Sequence, residues 1–270
     1  MRDIRVAAGM MRAVVGDLAG NIGRMEQLAG LAAEQGAEVL VLPEACLTGY
    51  TVRKSMAGWA SPVPGPLTDA VGQMADRHNM LIFAGLVEQG ANGVCHLTQV
   101  AAGPEGLLAQ YRKTHLGPTE QTLFEAGDGL ILLDWRGVRF GFQLCYEGHF
   151  PEMSTALALR GAEVMVIPHA SPRETPAEKL ERWRRYMPAR GYDNTAFIVS
   201  VNQAGDNGAG LTFAGVALIS GVKGEILAEG AGYDDQIITA DLRQNDLDAV
   251  KDGRMGYFLP LRRPEIYGID

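Results

Sequence analysis

Cysteine is scarce in this sequence. Three stand in 270 residues, Cys46, Cys95 and Cys145, and none is paired in a Cys-x-x-Cys spacing. That odd, sparse set excludes a disulfide framework and a cysteine-ribbon metal site, and a reducing, cytoplasmic compartment is the expectation. Long apolar runs are missing too. No stretch approaches the roughly 20 residues of a membrane-spanning helix, so no membrane partner is expected. The opening residues Met1-Arg2-Asp3-Ile4-Arg5 lack the apolar core of a secretory signal. Basic charge is in the minority, with 24 Lys and Arg against 32 Asp and Glu. A nucleic-acid partner needs the opposite balance. The five histidines form no His-x-His or His-x-x-x-His pair, so no metal is expected. The glycine-rich stretch Gly205-Asp206-Asn207-Gly208-Ala209-Gly210 lacks the ending and spacing of a phosphate loop, and reads as a turn. No cofactor is predicted.

What remains is rich in short buried elements. Hydrophobic residues make up 47% of the chain, and 34 glycines are dispersed without a period. Ile4 to Met11 reads as a strand. Asn21 to Gln35 reads as a helix, with Ile22, Met25, Leu28, Leu31 and Ala32 three and four apart. Val39 to Leu42 is a run apolar on both faces, and Leu81 to Leu86 and Leu107 to Arg112 suggest further strands. The second half repeats the rhythm. Gly137 to Leu144 predicts a strand, Pro151 to Arg160 a helix, and Val164 to Ile167 another buried strand. Thr175-Pro176-Ala177-Glu178 is a capping box opening a helix, which Pro188 is expected to kink or interrupt. Phe197 to Val201, Leu211 to Ser220 and Ile237 to Ala240 complete the strands. Alternating strands and helices define an α/β class without a linker. Residues 1–270 therefore read as one domain. Its tail, 251–270, mixes aromatics with Arg254, Arg262 and Arg263, and is expected at a subunit interface.

Three polar residues follow apolar strands directly: Glu44, Lys113 and Cys145. Sites in α/β sheets form beyond the carboxyl ends of strands. A free thiol with a pKa of about 8.5 is little ionised at neutral pH, so it needs a base. Glu44 is placed to take the thiol proton and return it to a leaving amine. A Lys113 ammonium and the backbone N–H of Tyr146 suit a developing oxyanion. A helix start after Cys145 would also favour negative charge on sulfur. A competing reading pairs Cys145 with His149 or His169 as a protease-like site.

The stretches Leu42-Pro43-Glu44-Ala45-Cys46-Leu47-Thr48-Gly49-Tyr50, Tyr111-Arg112-Lys113-Thr114-His115-Leu116 and Leu144-Cys145-Tyr146-Glu147-Gly148-His149-Phe150-Pro151-Glu152 resemble the nitrilase superfamily of carbon–nitrogen hydrolases. The resemblance runs from about Arg5 to Asp241. It implies a four-layer α-β-β-α sandwich, a Glu44–Lys113–Cys145 triad acting through a thioester, and subunits that pair as a homodimer or higher homo-oligomer. Glu120 matches a second glutamate of the family and would orient Lys113 or the substrate nitrogen. Arg190-Gly191-Tyr192-Asp193-Asn194 and Ala217 depart from the family pattern at positions outside the triad.

Tyr146 after the nucleophile resembles the amidase and carbamoylase branches, where nitrilases more often carry Trp. The expected reaction is hydrolysis of a small amide or N-carbamoyl compound with release of ammonia. Conversion of a nitrile to an acid is the alternative within the family, and a catalytically silent binding or scaffold protein is the alternative outside it. Tyr50, His149, His169 and Ala170 are expected to line the substrate pocket. Arg173 is a further candidate there for a substrate carboxylate.

Overall fold

The computed structural model describes residues 1–253 and 255–268. Its first half runs β1 (Ile4–Met10), α1 (Leu18–Glu34), β2 (Val39–Val41), α2 (Pro66–His78), β3 (Leu81–Gln89), β4 (Cys95–Gly103) and β5 (Gly106–Arg112). The second half begins with β6 (Leu132–Trp135), β7 (Val138–Phe142), α3 (Pro151–Leu159), β8 (Val164–His169) and α4 (Pro176–Asn194). It continues through β9 (Phe197–Asn202), β10 (Gly205–Asp206), β11 (Thr212–Phe213), β12 (Gly215–Ser220), β13 (Ile226–Gly232), β14 (Gln236–Leu242) and α5 (Gln244–Lys251).

The long strands form two six-stranded sheets, in the orders β14-β1-β2-β3-β4-β5 and β13-β12-β9-β8-β7-β6. Side-chain alternation decides how they stack, because successive residues of a strand point to opposite faces. Val6, Ala8 and Met10 of β1 join Val164 and Val166 of β8 and Phe197, Val199 and Val201 of β9 in one apolar layer between the sheets. Phe83 of β3 bridges that layer, with its ring 5.5 Å from Phe140 and 5.2 Å from Phe142. The intervening residues face outward onto helices. Ala7, Leu40 and Ile82 pack with Met25 and Leu28 of α1 and Val71 and Met74 of α2. Met165, Ile167 and Ile198 pack with Leu157 of α3 and Trp183 and Met187 of α4. The result is the expected helix–sheet–sheet–helix order of layers.

Several boundaries differ from the sequence reading. Helix α1 begins at Leu18, because Asp17 caps it by accepting the Gly20 N–H at 3.0 Å. Pro188 does not interrupt α4, which continues to Asn194 with Pro188 buried inside it. The strand expected over Leu211 to Ser220 is divided into β11 and β12 at Ala214. Strands β6 and β10 and helix α5 were not anticipated as elements. In the tail, Phe258 packs its ring 5.7 Å from Tyr192, while Leu261 and Ile266 are exposed. Arg254, Ile269 and Asp270 lie outside the described residues. Among the described residues, no helix is long and apolar enough to cross a membrane.

Candidate active site

Strands β2 and β3 run parallel, as do β7 and β8. Glu44 lies just beyond the carboxyl end of β2, Lys113 directly after β5, Cys145 beyond β7 and Ala170 directly after β8. Strand ends thus hold all four, on buried strands except for the half-buried β5 before Lys113.

The loop bearing Glu44 is pinned by its backbone. Gln203 Nε2 donates to the Glu44 carbonyl at 2.7 Å, and the Leu47 N–H donates to the Gly85 carbonyl at 2.9 Å. A Cβ at Gly85 would lie 2.2 Å from the Ala45 nitrogen, so the loop packs where only glycine fits. Lys113 is held by its N–H to the Leu97 carbonyl and by its own carbonyl, which accepts from Gly127 N–H, each at 2.8 Å.

The side chains converge. Lys113 Nζ donates to Glu44 Oε1 at 2.9 Å and to both Glu120 oxygens at 3.0 and 2.9 Å. The Ala170 N–H donates to Glu44 Oε2 at 2.9 Å. Glu120 also accepts from the Tyr50 hydroxyl at 2.9 Å and the Gly117 N–H at 2.7 Å. A cavity of about 670 Å³ opens beside this cluster. Lys113, Glu120, Cys145, Tyr146, Tyr50 and Ala170 are in its wall, and Ser171, Pro172 and Arg173 extend it.

Burial and charge set the ionisation of the group. Burial raises the Glu44 carboxyl, with the Lys113 charge pulling it back. Burial works against the Lys113 ammonium, but the Glu44 and Glu120 carboxylates beside it outweigh burial and hold the lysine protonated. Burial, reinforced by the Glu44 charge, pushes the Cys145 thiol well up, while Lys113 and the Ala170 N–H oppose the shift. The helix start that was expected to favour negative charge on the sulfur does not follow the thiol directly, since α3 begins at Pro151. The segment that opens with the thiol, Cys145–His149, is a short 3-10 turn. Cys145 itself has φ 47°, a left-handed conformation unusual for a residue with a side chain.

A family description, carbon-nitrogen hydrolase, matches residues 5–252. The chain belongs to the carbon–nitrogen hydrolase family. An (R)-stereoselective amidase from a Pseudomonas species is 34% identical over 89% of this chain and 88% of its own length. A nitrilase from Pyrococcus abyssi is 32% identical over 88% and 92%. A variant of the amidase from Nesterenkonia sp. AN1 superposes with a TM-score of 0.81 at 26% identity, covering 97% of this chain and 95% of that one. That structure shows covalent addition of the acetamide moiety of fluoroacetamide at the active-site cysteine. Cys145 stands at the catalytic position of this hydrolase.

Two of the expected pocket residues of the hydrolase lie elsewhere. His169 is buried beneath the cavity, its ring 4.5 Å from Trp183 and its Nδ1 2.7 Å from the Ile167 carbonyl. His149 stacks on Tyr186 at 4.7 Å. Neither is in the cavity wall, and no hydrogen bond joins either to Cys145 among the described residues. Burial lowers the pKa of both histidines. Nothing in this placement favours the cysteine–histidine reading. Within the stretch that departs from the family pattern, Arg190 has a structural use: its Nε donates to the Gly148 carbonyl at 3.0 Å and braces the turn after the nucleophile. Ala217 is buried in the layer between the sheets.

Glu147 and Lys179 were missed. Both are fully buried charged residues. Lys179 has a readable signal, since it stands four and eight residues before Trp183 and Met187 on the inward face of α4. Glu147 has only its place two residues after the thiol.

Proposed function

We propose that this hydrolase cleaves the C–N bond of a small amide or N-carbamoyl compound and releases ammonia through a Cys145 thioester. The observation that carries the reading is Lys113 Nζ held between Glu44 and Glu120 on the cavity that Cys145 lines. In the first half-reaction Glu44 takes the Cys145 proton as sulfur attacks the carbonyl carbon. Lys113 Nζ and the Tyr146 N–H receive the developing oxyanion. Collapse breaks the C–N bond, and protonated Glu44 returns its proton to the leaving nitrogen, which departs as ammonia. Glu44 then deprotonates water, hydroxide adds to the thioester, and the Cys145 sulfur leaves and recovers the proton. Glu120 keeps Lys113 aimed and charged. The elevated thiol pKa is compatible with this sequence, because the proton is removed only as the bond forms.

On this reading residues 1–270 act as one cytoplasmic hydrolase domain that assembles as a homodimer or higher homo-oligomer. The exposed Leu261 and Ile266 support a subunit contact for the 251–270 tail. Tyr50, Tyr146 and Ala170 form the substrate wall, and Arg173 stands where a substrate carboxylate would reach it.

The test is a panel of aliphatic amides, ω-amides, N-carbamoyl compounds and nitriles assayed by ammonia release, with intact-mass detection of an acyl adduct. Amide or carbamoyl turnover with an adduct on Cys145 is the expected result. Ammonia from nitriles but not amides replaces the reading with a nitrilase. An active Cys145→Ala enzyme removes the mechanism, and no turnover together with an inert thiol leaves a binding protein.

A further inference from the structure

The proposed reaction gives no role to Lys179, a buried charge of the site region. Lys179 on α4 has no exposed side-chain surface. Lysine is almost never fully buried unless it is paired, because its ammonium is strongly hydrated. Its partners lie on the strap of residues 170–174, which joins β8 to α4. Lys179 Nζ donates to Ser171 Oγ at 3.0 Å and faces the Glu174 carboxylate at 3.4 Å. Glu174 has φ 77°, a strained conformation that the surroundings must enforce, and Arg182 grips the same carboxylate at 2.7 Å.

The strap matters because of what it carries. Asn202 clamps Ser171 from below, accepting its N–H at 2.9 Å and donating to its carbonyl at 3.0 Å. One residue earlier, the Ala170 N–H donates to Glu44 Oε2. That same N–H lowers the pKa of both Glu44 and Cys145. Burial sets the direction for both groups, and this N–H, which touches the carboxylate directly, opposes it. Lys179 is not in the cavity wall, so it does not touch substrate; beyond the field of its charge at Cys145, it acts on the site through the strap.

We infer that Lys179 is a positioning residue: by holding Ser171 and Glu174 it fixes the strap so that the Ala170 N–H stays on the Glu44 carboxylate beside the Cys145 sulfur. This rests on the glutamate-base reading above. The charged and titratable groups facing Lys179 are Arg182 on its own helix, Glu174 on the strap, Cys145 and His169. Those facing the Cys145 end of the strap are Glu44, Lys113 and Glu120.

The experiment measures the rate of Cys145 alkylation by iodoacetamide against pH, with the labelled site assigned by peptide mass. It compares wild type, Lys179→Met, Ser171→Ala and the double variant. Each single change is expected to move the alkylation midpoint to higher pH. Each should slow labelling at neutral pH by about tenfold, the size of a one-unit pKa shift. The double variant should fall no further than the slower single one, because both changes release the same strap. A folded Lys179→Met protein whose profile superposes on wild type overturns the inference, as do additive effects in the double variant. Where Lys179→Met does not fold, Ser171→Ala decides, and a wild-type profile there also overturns it. Failure of wild-type Cys145 to react at all counts against the proposed reaction instead.

Discussion

Glu147 Oε1 receives the backbone N–H of Thr114 at 2.7 Å. The same oxygen accepts from the Thr114 hydroxyl and the Tyr111 hydroxyl at 2.7 Å each, and from the His115 N–H at 3.1 Å. Its second oxygen accepts from the Leu144 N–H at 2.6 Å. One buried carboxylate thus ties the end of β5, where Lys113 stands, to the turn that carries Cys145. The cation and the thiol come from different sheets, and Glu147 is the bond that sets their spacing.

Replacing Glu147 by Gln should therefore destabilise the fold by about 3 kcal/mol, since a neutral amide accepts these bonds less strongly and turns a donor on some of them. Burial opposes the Glu147 charge, but its bonds from His115, Tyr111 and Thr114 outweigh burial and hold the carboxyl below the usual range. A carboxyl lowered in the folded state adds stability above its unfolded pKa of about 4.3, and loses it as pH falls through the folded value. Urea midpoints measured from neutral to acid pH should show the gap between wild type and Glu147→Gln closing on acidification. A gap independent of pH would contradict this account.

Glu44 bears on the pH dependence of turnover. Burial raises its carboxyl above the ordinary range, and in the proposed reaction it acts as base only when ionised. Activity should therefore rise with pH through a pKa above about 4.3. Glu44→Gln should lower kcat by about 10²- to 10⁴-fold and abolish that acidic limb. Ammonia release between mildly acid and neutral pH measures both.

Cys145 combines chemistry with strain. Its φ of 47° is costly for any residue with a Cβ and free for glycine. Cys145→Ala and Cys145→Gly should both be inactive. The glycine variant should be the more stable of the two by about 1 kcal/mol, read from their thermal unfolding midpoints.

Gly85 tests the loop that presents the proposed base. An alanine there would press its Cβ to 2.2 Å from the Ala45 nitrogen and push Glu44 out of line. Gly85→Ala should cost about 1–3 kcal/mol of stability and lower kcat more than it raises KM. Wild-type kinetics in a folded Gly85→Ala protein would show that the Glu44 loop tolerates displacement.

Much of this was legible in the residues. The runs Val39 to Leu42 and Val164 to Ile167 announced buried strands because no polar residue interrupts them. Thr175 and Glu178 marked the start of α4, where each bonds the other as a capping box should. Pro188 misled because its local cost is overridden by burial of the helix around it. Glycine and turn chemistry did not reveal β6 or α5, whose short segments carry too few apolar positions to establish a period. His149 and His169 stand a few residues past strand ends like the true lining residues. Only packing against Tyr186 and Trp183 separates them from the cavity.

The sequence by itself determined the class of fold, the order of its main elements and the cysteine at the catalytic position. Those properties follow from local pattern: apolar periodicity, capping pairs and three motifs at strand ends. The tertiary structure alone decided which charges are partners. Lys113 meets Glu44 across 69 positions and Ala170 meets Glu44 across 126. The ionisation of Cys145 was settled there too, because desolvation depends on everything packed around an atom. Spacing along the chain contains no such information.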